Sequence, residues 1–348
     1  MDVNEKLSFA CDYEKGAHPN ILARLVETNT WKTAGYGLDE ISESARNRIR
    51  KACGKEDAVV EFLVGGTQAN AVMIDALLRS YQGVIAAETG HISTHEAGAI
   101  EANGHKVLAI PHEYGKIAAS DVEKYLDDYY QDMNHEHMVM PGMVYLSHPT
   151  EYGTLYSKAE LQAFREVCNK YGISLYVDGA RLAYALSCPE NDVGLKDLAD
   201  LCDAFYIGGT KCGALFGEAV VIPQPGKIPH LFTITKQHGA LLAKGRLLGI
   251  QFDELFRDDL YMRIGEPAIK AAAKIRQALR EEGYRLYFEA PTNQIFVVVD
   301  NDLLKMLGEK IEYSFWEKYD GRHTVIRLAT DWGTTEAETN ALIEALKR

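Results

Sequence analysis

The stretch from Ala204 to Ile222, AFYIGGTKCGALFGEAVVI, decides how the rest of the chain is read. It is an apolar strand, a glycine-rich turn and a second apolar strand, and its single cation, Lys211, stands in the turn among Gly208, Gly209, Thr210 and Gly213. Strands apolar throughout, with no polar alternation, are those covered on both faces, as in parallel sheets. Outward from this stretch the pattern recurs at 58–64 (AVVEFLV), 83–88 (GVIAAE), 106–110 (KVLAI), 143–147 (MVYLS) and 174–178 (SLYVD), with helical patterns between. That alternation predicts an α/β architecture around a mostly parallel sheet.

Helix punctuation supports it. Ser157 with Glu160 and Ser120 with Glu123 have capping-box spacing, Gly172 follows the helical run AELQAFREVCNKY, and Gly54 closes SESARNRIRKAC. The amphipathic stretch 239–256 predicts a connecting helix. Beyond it come a helix near 268–281, strand 294–300, a helix near 302–311, strand 324–330 and a helix from Thr335, so a large unit over 1–257 and a smaller C-terminal α/β unit over 258–348 are expected.

At 348 residues the chain can bury a large core without metal or disulfide staples. Its 47% hydrophobic and 25% charged residues exclude disordered and fibrous classes. Acidic residues outnumber basic ones 50 to 37, with no basic block to track a phosphate backbone, so no nucleic-acid partner is expected. The six cysteines, Cys11, Cys53, Cys168, Cys188, Cys202 and Cys212, are scattered and read as reduced thiols. The opening residues lack a signal-peptide pattern and no apolar run spans a membrane; the expectation is a cytoplasmic protein without a membrane partner.

Ligands of parallel α/β sheets collect beyond the carboxyl ends of the strands. There, Gly65, Gly66 and Thr67 lead from a strand into a helix, which makes either an anion site suited to phosphate or a plain threonine cap. Asp178 ends an apolar strand, with Arg181 three residues on, and reads as a carboxylate serving a ligand or as an Asp–Arg ion pair. Lys211 is a nucleophilic amine if desolvated, or a lysine snorkelling from a loop. His91 is a catalyst or a hydrogen-bonded structural histidine. His95 with Glu96, and NHEH at 134–137, lack a third ligand at matching spacing, so no metal is expected.

Together, a phosphate cradle, a strand-end carboxylate, a turn lysine and a ring to stack are what pyridoxal 5′-phosphate requires: a covalent anchor and a protonated ring nitrogen. Thr210 adds a hydroxyl for the phosphate. Arg327, inside the apolar strand TVIRLAT, offers a fork for a substrate carboxylate, or else a salt bridge between domains.

The segments YGLDE (36–40), GGTQAN (65–70), HISTHEAGA (91–99), VDGARL (177–182), GGTKCGALFG (208–217) and VIRLAT (325–330) resemble, in order and spacing, the low-specificity L-threonine aldolases. These are fold-type I pyridoxal-phosphate enzymes of the aromatic amino acid β-eliminating lyase and threonine aldolase group. The resemblance implies that Lys211 is the Schiff-base lysine, Asp178 the partner of the pyridine nitrogen and His91 the ring stacked on the cofactor. It puts phosphate at Gly66 and Thr67, and the substrate carboxylate near Arg181 and Arg327. Arg181 would also approach the cofactor's ring oxygen, and Tyr36 would reach a neighbouring subunit's site in a homodimer or dimer of dimers. It departs from the family pattern at Cys11, which stands before Asp12 where a serine is usual and weakens one carboxylate contact. The neighbouring subunit's phosphate-binding arginine has Lys236, Lys244 or Arg246 as stand-ins, and CGALFG after the lysine replaces a shorter glycine run at the entrance. The implied reaction is Cα–Cβ cleavage of a β-hydroxy-α-amino acid to glycine and an aldehyde. His91, directly or through water, is the expected base for the β-hydroxyl, with a water relayed by Glu96 as the other route. A β-eliminating lyase and a non-catalytic α/β binding or assembly protein are the competing readings.

Overall fold

The computed structural model describes residues 6–347. Its strands are, in chain order, β1 (Leu7–Ser8), β2 (Val59–Leu63), β3 (Gln82–Ala87), β4 (Val107–Ile110), β5 (Met140–Ser147), β6 (Ser174–Asp178), β7 (Ala204–Gly208), β8 (Glu218–Ile222), β9 (Arg285–Leu286), β10 (Gln294–Asp300), β11 (Ile311–Glu312), β12 (Ser314–Lys318) and β13 (His323–Ala329). Seven of them form one sheet in the order β2-β8-β7-β6-β5-β3-β4. Every pairing from β7 to β4 is parallel, while β8 runs antiparallel to both its neighbours.

Alternation of side chains across the pleat divides the sheet's apolar residues between two cores. Val144, Leu146, Leu175, Val177, Phe205 and Ile207 enter one, and Met143, Tyr145, Tyr176, Ala204 and Tyr206 the other. Continuous apolar strands are therefore required: each of β6, β7 and β8 is buried at all five positions.

A second sheet, β12-β13-β10-β9, is antiparallel. Helices Glu266–Glu281 and Glu336–Leu346 pack on the face bearing Ile295, Val297, Ile326 and Leu328. The other face carries Phe296, Val298 and Val325 with Tyr287, Phe288 and Trp316 beside them. Residues 7–9 join this sheet's surroundings: β1 pairs with β11, and the Phe9 carbonyl accepts from Ala329 N–H at 2.9 Å.

The Ser157–Glu160 capping box forms at helix Lys158–Tyr171, and Gly172 and Gly54 close their helices in the left-handed region. Ser120 and Glu123 make no such box. Their helix, Ala119–Gln131, starts one residue earlier behind Ala118, without a side-chain cap. The connecting helix is shorter than its hydrophobic pattern, spanning Arg246–Leu255, with 240–245 running as irregular chain and turn before it. Strands β9, β11 and β12 are short and were not expected. Among the described residues no helix is long and apolar enough to cross a membrane, no group of three or more His, Cys, Asp or Glu converges on a metal position, and all six cysteines are unpaired.

Candidate active site

The carboxyl ends of the parallel strands open on a cavity of about 400 Å³. All of these strand ends but that of β4 contribute: Gly65, Gly66 and Thr67 after β2, His91 and His95 after β3, Glu151 after β5, Asp178 and Arg181 at β6, Thr210 and Lys211 after β7. Because β8 is reversed, its first residue, Glu218, also reaches this end.

Asp178 is buried and accepts from Tyr145 Oη at 2.5 Å, Asn70 Nδ2 at 3.0 Å and Ala180 N–H at 3.0 Å. Burial pulls its carboxyl upward, but His91 and the hydrogen bonds from Tyr145, Tyr206 and Asn70 outweigh it and hold Asp178 below the ordinary carboxylate value. Its charge is thus held by the nearby His91 and by these donors, not by an arginine in contact. Arg181 does not pair with it. The Arg181 Nε and Nη2 bind Asp12 Oδ2 and Oδ1 at 2.6 and 2.9 Å, a buried bidentate pair. Burial alone would raise Asp12 as well, and Arg181 and Lys211 hold it down instead.

The turn that carries Lys211 is built without room for side chains. A Cβ on Gly208 would lie 2.3 Å from the Ala180 carbonyl oxygen, and one on Gly209 would lie 2.5 Å from that of Gly217. Tyr184 Oη donates to the Lys211 carbonyl at 2.5 Å and fixes the backbone. Lys211 lines the cavity rather than snorkelling away from it, and burial, then Arg181, pushes its amine below the ordinary lysine value. That is the condition a nucleophilic amine needs.

Helix Gly66–Leu77 begins behind Gly65 with no side-chain cap, so Thr67 is not a capping residue and the first-turn N–H groups are left for an anion. His91 opens the short helix His91–Thr94. Its Nδ1 lies 2.7 Å from Glu96 Oε1, and since a carboxylate oxygen accepts, Nδ1 donates; in the neutral ring this leaves the lone pair on Nε2. Asn70 Nδ2 bridges that same Glu96 oxygen, at 2.7 Å, to Asp178.

Three expected residues lie outside this cavity. Arg327 lines an adjoining chamber of about 410 Å³ with Trp316 and Tyr152, sharing His95 as the wall. It makes no interdomain salt bridge: its contacts are Gln294 Oε1, the Ala10 carbonyl and Ser314 Oγ, each at 3.2 Å, and its buried Nε has no partner. Cys11 Sγ donates to Glu14 Oε1 at 3.5 Å and does not itself line the cavity. Tyr36 is exposed, with Lys236 Nζ 4.6 Å from its ring centroid. Arg246 is spent on the carbonyls of Thr28 and Asn29, at 2.7 and 3.2 Å. The altered entrance sequence places Phe216 in the cavity wall.

Thr210 is also occupied. Its hydroxyl lies 2.8 Å from Glu218 Oε1 and accepts from Gly217 N–H at 3.0 Å. Glu218 was missed in the sequence, and so was Glu151, whose Oε1 accepts from Ser147 Oγ at 2.6 Å and His91 N–H at 2.9 Å. A carboxylate opening a strand or sitting in a loop has no pattern to mark it; only the reversal of β8 and the path after β5 bring the two to the cavity. Tyr145 and Tyr206 were hidden inside apolar strands.

The strand order, with its one reversed member, is that of the fold-type I pyridoxal-phosphate enzymes. A solved threonine aldolase of Leishmania major superposes with a TM-score of 0.94 at 42% identity, covering 97% of this chain and 98% of that one. The chain belongs to the beta-eliminating lyase family, whose model matches residues 19–302. Low specificity L-threonine aldolases of Pseudomonas aeruginosa and of a Pseudomonas sp. strain are 31% and 30% identical to it. The first alignment covers 86% of both chains, the second 97% of this one and 96% of the other.

Proposed function

We infer that this protein is a pyridoxal-phosphate-dependent aldolase that cleaves the Cα–Cβ bond of L-threonine, L-allo-threonine or a related β-hydroxy-α-amino acid to glycine and an aldehyde. The observation that carries the reading is the pairing, in one cavity, of an amine pushed toward its neutral form, Lys211, with a carboxylate held ionised, Asp178. When bound, the cofactor supplies a ring that accepts the electrons of the broken bond.

The residues present fit that group. Lys211 would anchor it, Asp178 would keep its ring nitrogen protonated, and the uncapped helix start at Gly66 and Thr67 would receive its phosphate. His91 would lie against the ring, and its Nε2 would take the β-hydroxyl proton, a contribution of about 10²- to 10⁴-fold. Arg327, a half-buried guanidinium with no carboxylate partner among the described residues, would clamp the substrate carboxylate, with Arg181 in support, and so orient the Cα bonds of the substrate.

The cavity is lined from the large unit, 1–257, and Arg327 in the adjoining chamber would bring the small unit, 258–348, to the substrate. Tyr36 and the exposed apolar Val26, Trp31 and Leu38 on the same segment support a homodimer or homotetramer, in which Tyr36 reaches a neighbour's site. Unpaired thiols support a cytoplasmic location.

Incubating the holoprotein with threonine, allo-threonine and phenylserine tests the reaction: glycine and an aldehyde are expected. Ammonia with a keto acid would instead establish β-elimination. Lys211→Ala is expected to abolish turnover; full activity in that variant, or a wild type that stays colourless with the cofactor, defeats the reading.

A further inference from the structure

Glu218 lines the cavity and has no part in the chemistry above, yet its surroundings are specific. It is buried, its Oε2 accepts from Gly209 N–H at 3.0 Å, and its Oε1 lies 2.8 Å from Thr210 Oγ1. Thr210 Oγ1 in turn accepts from Gly217 N–H at 3.0 Å. A hydroxyl has one proton and two lone pairs. Gly217 uses one lone pair, so the state of Glu218 decides what Thr210 does with the rest.

An ionised Glu218 only accepts. It accepts the hydrogen bond of the Thr210 hydroxyl, and Thr210 then has nothing to donate into the cavity. A Glu218 that carries a proton on Oε1 donates it to the second lone pair of Thr210, and the threonine's own proton turns free toward the cavity, which Gly66 and Thr67 also line. We propose that Glu218 is a positioning residue for the phosphate end of the cofactor: protonated, it makes Thr210 a donor to a phosphate oxygen, and ionised, it withdraws that donor. The proposal rests on the reading of this cavity as the pyridoxal-phosphate site. Cofactor loading then takes up one proton wherever Glu218 starts ionised.

The groups facing Glu218 favour the protonated form near neutrality. Burial is the largest influence and pushes it to about 8, against the hydrogen bonds from Thr210 and Gly209 and the charge of Lys211, and with the charge of Asp178. Tyr176, Tyr206, Tyr261 and Cys212 also surround it, and burial raises all four, so they remain neutral through this range.

The test uses the full chain stripped of cofactor and pyridoxine 5′-phosphate as ligand, which has the ring and phosphate but no aldehyde for Lys211 to bond. Calorimetry at pH 9 in buffers of different ionisation heat counts protons. The wild type is expected to take up close to one proton per site more than Glu218→Gln, since the proton that Asp178 keeps on the ring nitrogen is common to both, and its Kd to weaken by up to a further 10-fold per pH unit above about 8. In Glu218→Gln the amide donates to Thr210 at every pH, so the extra uptake and the extra weakening disappear; equal uptake in the two proteins overturns the proposal. Thr210→Val serves as a second probe: its Kd at pH 7 is expected to be about 10-fold weaker than wild type and to converge with it at pH 9.5. An equal loss at both pH values also overturns it. A wild type that binds neither pyridoxine 5′-phosphate nor pyridoxal phosphate defeats the cofactor reading itself, whereas binding without the extra proton uptake defeats only the role of Glu218.

Discussion

Asp178 closes β6 and Glu218 opens β8, two strands separated in the sheet only by β7. Both carboxyls are withdrawn from water in one cavity wall, and burial pushes both upward. The outcome is opposite: Asp178 ends below the ordinary carboxylate value and Glu218 rises to about 8. The difference lies in what faces them. Asp178 receives Tyr145, Asn70 and a backbone N–H, with His91 nearby, whereas Glu218 receives one hydroxyl and one backbone N–H and feels Asp178 as a like charge. Buried acids split in this way serve as one permanent anion and one proton carrier.

The largest effect expected from breaking the contrast is at its charged end. Asp178→Asn keeps the shape and removes the charge, and kcat with threonine is expected to fall on the order of 10²- to 10⁴-fold in steady-state assays of the loaded enzyme. A variant within threefold of wild type would mean that the charge at Asp178 is idle.

Next comes stability. Glu218 holds its proton more tightly folded than unfolded, so its contribution is fully present below about 4.5 and lost as pH rises to about 8. Asp178 does the reverse: its contribution is present above the ordinary carboxylate value near 4 and is lost as pH falls through its lowered one. Urea unfolding of the cofactor-free chain between pH 5 and 8 is expected to show stability declining by up to a few kcal/mol from Glu218, on the order set by the shift. Glu218→Gln should remove that decline, and a slope unchanged in the variant would place its origin elsewhere.

The smallest expected change sharpens the contrast without erasing it. Tyr145→Phe deletes one donor to Asp178, a hydrogen bond to a charged group worth about 1.5–3 kcal/mol. The acid limb of the kcat profile should move up by about one to two pH units, and an unmoved limb would show that the remaining donors suffice.

Much of this arrangement was legible in the residue order. Asp178 and Lys211 stand out as lone charges against apolar strands, and strand ends are where such sheets hold ligands. Glu218 was not legible by that rule, because β8 alone runs backwards and presents its first residue where the others present their last. Of the two readings open for Asp178, the ion pair with Arg181 falls for a related reason: the two are close in sequence, but the partner of Arg181 is Asp12, 169 residues away. Ser120 and Glu123 had the right spacing for a cap, yet the helix began before them.

The pairing of Asp12 with Arg181 gives the front of the chain an importance that its position would not foretell. Residues 7–9 are stitched to the second sheet, Asp12 bridges to the first, and Asn293 Nδ2 reaches the same carboxylate at 2.9 Å. Shortening the protein past Asp12 would strand a guanidinium in the interior, a loss of about 3–5 kcal/mol. A protease that cuts just beyond Asp12 would therefore silence the enzyme without touching its lysine.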